Sequence, residues 1–319
     1  MTNSMNAEIA ELLWKCDIGE EEHATYIRLV GECLGPINRI SALFTRQFGS
    51  DVNYELKIKT QDTISPDAGA MWGLHLITFQ VKFIVELVKH YEKLYGFNFE
   101  KVQSEQRHRR LILAVCLAFC HELAHIVRGH DSNIVNAEAL NNSGSKAAEA
   151  DADFLAGMQL HKWFTGNAIG SELQKDIGLN NGAIGLAALF KDAGFCTVLL
   201  AFFLHNKLNP DNDEYHLPNV RAAILLSGIL SGIVSSSKKY TPYINFLFAG
   251  YKEHIEYLER GVSEGFDAGE VEKFLQLCPL EWKELLEETA KEMDGQRSMS
   301  DKTSEIWKAL YERAVKNNN

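Results

Sequence analysis

The 319-residue chain has a net charge of −11, with 46% hydrophobic and 24% charged residues. That balance is the one of a globular protein long enough to bury a sizeable core. Its acidity excludes non-specific nucleic-acid binding, which depends on neutralising phosphates with Lys and Arg, and docking on an anionic membrane.

Residues 1–22 are polar and acidic, with neither the basic nor the apolar region of a secretory signal. The six cysteines (Cys16, Cys33, Cys116, Cys120, Cys196, Cys278) show no CxxC spacing. Together these predict reduced, mostly buried thiols and a cytoplasmic setting. Over 5–48, Ile9, Leu12 and Leu13, then Ile27, Leu29, Val30 and Leu34, recur at helical spacing, with a break expected at Gly35-Pro36. Tyr54 to Thr60 alternates like a half-buried strand; 62–69 reads as a turn, and Ala70 to Phe79 as a second strand passing into a helix over 80–95.

Ser104 can cap the next helix, which runs to Arg128 and stops at Gly129. Its first turns hold Arg107, His108, Arg109 and Arg110, read as a solvated basic turn, with a partner or acidic-substrate contact left open. A polar connection over 130–145, with a helical turn at 135–140, leads to a helix over 146–164 capped by Ser145. From 179 to 235 the chain is apolar and helical, interrupted at 206–215. The apolar stretches 194–204 and 222–234 fall short of the ~20 residues a bilayer-spanning helix needs, so both are expected to be core helices, with no membrane insertion. Residues 240–319 read as an acidic amphipathic helical tail without visible chemistry, Glu256 and Glu259 on its polar faces. The expected division is an N-terminal helical segment, 1–50, a catalytic core, 51–235, and an acidic C-terminal segment, 236–319. The fold class is predominantly α with a small β-sheet, α+β.

The chemistry begins at His121-Glu122-Leu123-Ala124-His125, which closes the apolar run Leu111 to Cys120. On a helix, positions four apart share a face, so both imidazoles can point at one ion. Glu122 then stands beside a water held in the open coordination position. Cys120 points away from that face. A third ligand is needed. The scheme with a histidine six residues after the second fails, since Asp131 is there and Arg128 replaces its glycine; His130 is out of register and is expected to support the site from behind or to be structural. The better candidate is Glu149, on the helix that returns after a polar loop. Asp153, four residues on, shares its face and can accept the free ring N–H of a ligating histidine. Asp151 faces elsewhere and is expected to meet solvent, and Ala147, Ala148, Ala150, Ala152 and Ala156 let this helix approach the first closely.

His-Glu-Leu-Ala-His followed by Glu149-x-x-Ala-Asp153 resembles the gluzincin metallopeptidases. Within them it is similar to the HtpX, Oma-type and prenyl-protease group, in which a Gly-His pair like Gly129-His130 often follows the motif. A chain of this size also resembles the Lit-like phage-exclusion peptidases. The likeness covers about 65–235. It implies a zincin-like core with one Zn²⁺ per chain on His121, His125 and Glu149. Tyr215-His216-Leu217-Pro218-Asn219-Val220-Arg221 is similar to the His-Pro…Arg element of that group, with proline displaced by one position. There the histidine steadies the oxyanion and the arginine braces the site; here a capped helix start with Pro218 in its first turn reads equally well. The group's transmembrane segments have no counterpart in this reading.

The function expected is that of a soluble zinc peptidase, cutting a peptide or protein substrate with Glu122 as general base, in stress response or phage defence. Ala70 to Phe79 is the candidate edge strand for an extended substrate. A non-enzymatic or latent zinc-stabilised sensor with a regulatory protein partner is the alternative.

Overall fold

The computed structural model describes residues 3–48, 52–60, 68–71, 74–95, 104–128, 130, 143–179, 182–208, 218–236 and 238–263. The helical turn expected at 135–140, His216 and the tail beyond 263 lie outside them. The described part is mostly helical with one small sheet, as the α+β expectation had it.

Two helices open the chain, α1 (Asn3–Lys15) and α2 (Glu20–Phe48). The break falls between them, where Asp17 takes a left-handed φ of 57°. At Gly35-Pro36, where a break was expected, α2 runs on. Proline in a helix interior costs about 3 kcal/mol, but Leu34, Ile37, Ile40 and Phe44 are buried around it, and that burial holds the helix together.

The sheet has strand order β1-β3-β2. The first strand, β1 (Glu55–Lys59), lies where alternation placed it. The single strand expected over 70–79 is instead two, β2 (Ala68–Met71) and β3 (Leu76–Gln80). His75, at φ 48°, turns the chain just before β3, so an apolar run that read as one strand folds back on itself. β3 pairs in parallel with β1 and antiparallel with β2, which puts β2 at an edge among the described residues. Helix α3 (Val81–Tyr95) follows directly.

Helix α4 (Ser104–Arg128) is the axis of the fold. Every residue from Leu111 to Cys120 is buried, and α4 packs on α2, on β2, on α5 (Ser143–Thr165) and on α7 (Ala183–Leu208). A short α6 (Asn167–Asp176) follows α5. Helix α8 (Pro218–Ser236) lies on α5, and α9 (Ile244–Ser263) on α7. The crossing of α5 and α8 needs glycine on both sides: a Cβ on Gly157 would come within 2.2 Å of the Leu225 carbonyl oxygen, and one on Gly228 within 2.0 Å of that of Phe154. One apolar core runs from Ile9 of α1 to Leu258 of α9.

Two expectations need correction. The apolar helices are longer than the apolar stretches that revealed them, because helix continues through flanking small and polar residues. Glu105–Arg128, Ala183–Asn206 and Pro218–Ser236 are each long and apolar enough to cross a membrane, by length and composition. Of their most apolar windows, 94%, 83% and 67% is buried inside the protein itself. The basic turn of α4 is not solvated at its inner positions either. Arg109 and Arg110 are buried, their Nε atoms each 2.9 Å from Asp192 of α7, and Arg110 also reaches Glu253 of α9 at 2.7 Å. Buried charges persist only when paired, and these are.

Candidate metal centre

The last turns of α4 leave the apolar core and bring His121 and His125 to its edge. Helix α5 lies across them. Ala152 and Leu155 pack against Ala124 of α4, while Ala150 turns to Val220 and Ile224 of α8. The small residues thus give α5 a close approach on two sides, and Glu149 is set down between the two histidines.

The three ligand atoms converge. The Nε2 atoms of His121 and His125 are 3.1 Å apart. Glu149 Oε2 is 3.2 Å from His121 Nε2, and Glu149 Oε1 3.4 Å from His125 Nε2. A tetrahedral ion with bonds of about 2.0–2.1 Å spaces its ligand atoms about 3.3 Å apart. The triangle therefore has the size such an ion requires, and the donor set fits it: two imidazole nitrogens and a carboxylate that can hold a metal ion. Without an ion, the two imidazole rings and the carboxylate still meet edge to edge at these distances.

Burial alone would lower His121, but Asp153 and Glu149 outweigh it and raise its pKa to about 10. Burial lowers His125 to about 3, with His121 and His130 adding to the effect against the pull of Glu149. Burial would raise Glu149, yet His125, His121 and Arg221 together bring it down to about 2.

The surrounding residues hold these ligands. Asp153 Oδ1 lies 2.8 Å from His121 Nδ1, and Arg221 grips Asp153 with two bonds of 2.8 and 3.0 Å. Its guanidinium also comes within 3.8 Å of Glu149. Arg221, on the first turn of α8, is thus brought to the cluster, whereas His216 falls outside the described residues. His130 stands behind His125, the two Nδ1 atoms 2.8 Å apart. Glu122 is partly exposed beside the cluster. Burial raises its pKa to about 7, His121 opposing and Glu149 assisting, and the Ala70 backbone amide of β2 donates to it. Cys120 is buried and takes no part.

Two features escaped the sequence reading. Asp151 does not meet solvent: it is 3% exposed and paired with Arg128 (2.8 Å) and His130 (3.3 Å). Its face of α5 is covered by the end of α4, and the complementary Arg128 and His130 there were the available signal. The second is the contact of Glu122 with β2, which no local pattern announces. Comparison with known proteins gives no match: no family model, curated protein or solved structure is similar to this chain.

Proposed function

We propose that this protein is a soluble, cytoplasmic zinc peptidase of the gluzincin kind, hydrolysing peptide bonds of a peptide or protein substrate. The observation that carries the reading is the 3.1–3.4 Å triangle of His121, His125 and Glu149 with Glu122 standing next to it. Two imidazoles and one carboxylate suit Zn²⁺ and leave a fourth position open. A bound zinc ion supplies a water of lowered pKa and polarises the scissile carbonyl.

Glu122, beside the open position, would take the proton of that water and pass it to the leaving amine. The edge strand β2, packed on α4, offers backbone groups to an extended substrate, which would add to the sheet beside Glu122. Asp153 and Arg221 keep His121 in its ligating orientation. The charged pairs that tie α4 to α7 and α9 support a reading of the apolar helices as core rather than membrane spans. A role in stress response or phage defence follows from the family resemblance alone.

The test compares cells expressing the wild type with cells expressing Glu122→Gln, by metal analysis and N-terminal proteomics. We expect about one zinc per chain in both, and new protein termini only with the wild type, the variant being slower by about 10²- to 10⁴-fold on the substrate so found. Equal cleavage by the variant would sink the mechanism. Zinc in both with no new termini would favour a zinc-stabilised sensor that binds a regulatory partner.

A further inference from the structure

Each ligating histidine is backed by a different device. His121 meets a carboxylate directly, Asp153. His125 has none of its own; its Nδ1 faces His130 Nδ1 at 2.8 Å. His130 Nε2 lies in turn 3.3 Å from Asp151 Oδ2, and Arg128 forks onto Asp151 at 2.8 and 3.3 Å. All of these side chains are buried.

We infer that His130, held by Asp151 and Arg128, is a positioning residue that sets the tautomer and ring orientation of His125 for the metal. The inference rests on the metal-site reading above. A close Nδ1–Nδ1 pair must share one proton, one ring donating and the other accepting. Ionised Asp151 can only accept, so it takes the N–H of His130 Nε2. Neutral His130 then presents a lone pair at Nδ1, and the shared proton belongs to His125 Nδ1. That leaves the lone pair of His125 on Nε2, the atom that faces His121 and Glu149. With both rings neutral no other assignment satisfies the chain, and this one makes His125 a ligand. The opposite tautomer would aim an N–H into the triangle. Arg128 already balances the charge of Asp151, so the chain contains no spare negative charge for a second cation. A purely structural link between α4 and α5 would need hydrogen bonds there, but no particular proton order.

Zinc affinity measured by chelator competition, together with the visible spectrum of the Co²⁺-loaded protein, tests this. His130→Phe keeps the volume and removes the acceptor. We expect it to lose zinc affinity by about 10- to 100-fold and to shift the cobalt bands. His130→Gln, whose amide oxygen can accept from His125 Nδ1–H, should recover most of both. Undiminished affinity with an unchanged cobalt spectrum in His130→Phe overturns the inference while leaving the zinc site standing. A wild type that takes up no zinc overturns both. Should His130→Phe not fold, ¹⁵N-imidazole NMR of the zinc-loaded wild type decides: an Nε2–H tautomer at His130 supports the inference, and an Nδ1–H tautomer there overturns it.

Discussion

Helix α4 carries a buried polar cluster at each end, and the two are built on opposite principles. Near its N-terminus, Arg109 and Arg110 meet Asp192, and Arg110 meets Glu253, which Lys191 also approaches at 2.7 Å. Donors face acceptors, and the Arg110 guanidinium lies 3.6 Å from the centre of the Phe195 ring. About eleven residues on, roughly 16 Å along the axis, the Nε2 atoms of His121 and His125 and the carboxylate of Glu149 converge within 3.1–3.4 Å. Buried charge is common to both ends, so it cannot by itself mark a functional site. What differs is completeness. The first cluster pairs its charges among the chain's own groups, and the second has a donor set that could hold a cation from outside.

The comparison is tested hardest by crossing two lesions. Glu149→Gln removes a ligand and should cost more zinc affinity than the about 10- to 100-fold that loss of an outer partner costs. Asp192→Ala removes the carboxylate that holds buried Arg109 and leaves Arg110 to Glu253. It should destabilise the metal-free protein by about 3–5 kcal/mol and leave zinc affinity as it was. Chelator competition and urea unfolding in EDTA read the two quantities separately. If Asp192→Ala weakens zinc binding as much as Glu149→Gln does, the ends are one unit and the contrast fails.

Zinc removal sharpens the same point. A ligand at a thousand times its Kd stabilises the folded state by about 4 kcal/mol, so EDTA should lower the unfolding midpoint of the wild type clearly. Sites this far apart add to within about 0.3–0.5 kcal/mol. The loss on adding EDTA should therefore be the same in Asp192→Ala as in the wild type. A larger discrepancy, measured by urea unfolding with and without EDTA, would show that α4 transmits between its ends.

The His121/His125/Glu149 end was legible in the sequence and the other end was not, for a physical reason. His121, His125, Glu149 and Asp153 belong to two short helical repeats, and a helix puts residues four apart on one face whatever surrounds it. Periodicity shows which residues share a face. It does not show what covers that face. Asp151 was sent to solvent because it turns from Glu149 and Asp153, yet the end of α4 lies over it. Arg109 and Arg110 were read as solvated because their partner, Asp192, sits more than eighty residues away in another apolar helix. Pro36 shows the same limit in reverse, since a local rule predicted a break that burial on α2 overrides. The edge strand was half legible: the residue types were right for a strand, but His75 divides it into a hairpin, and the division places β2 at an edge among the described residues, beside Glu122.

Acid gives the smallest effect, and His254 reports it at the first end. His254 of α9 is fully buried, its Nδ1 3.1 Å from the Phe195 carbonyl oxygen. Burial brings its pKa down to about 3; the bond to Phe195 opposes this, and Arg110 and His90 add to it. Above the unfolded value near 6.5 the ring is neutral in both states and stability is unaffected. As pH falls below that, the unfolded chain takes up a proton that the folded protein refuses, so stability drops, and goes on dropping until the folded pKa is reached. Glu253 works in the same direction at lower pH. Burial would raise it, but Arg110 and Lys191 prevail and lower it, so its contribution is present above the usual carboxylate range and is lost as pH falls through the folded value. One such histidine can steepen the loss by at most about 1.4 kcal/mol per pH unit. In EDTA, where the metal end contributes no binding energy, His254→Gln should flatten the fall in urea-unfolding stability between pH 6.5 and 5, while Glu149→Gln should leave His254's share of that slope in place. If His254→Gln falls as steeply as the wild type, the closed cluster does not exclude protons, and the distinction between the two ends of α4 is one of ligand geometry alone.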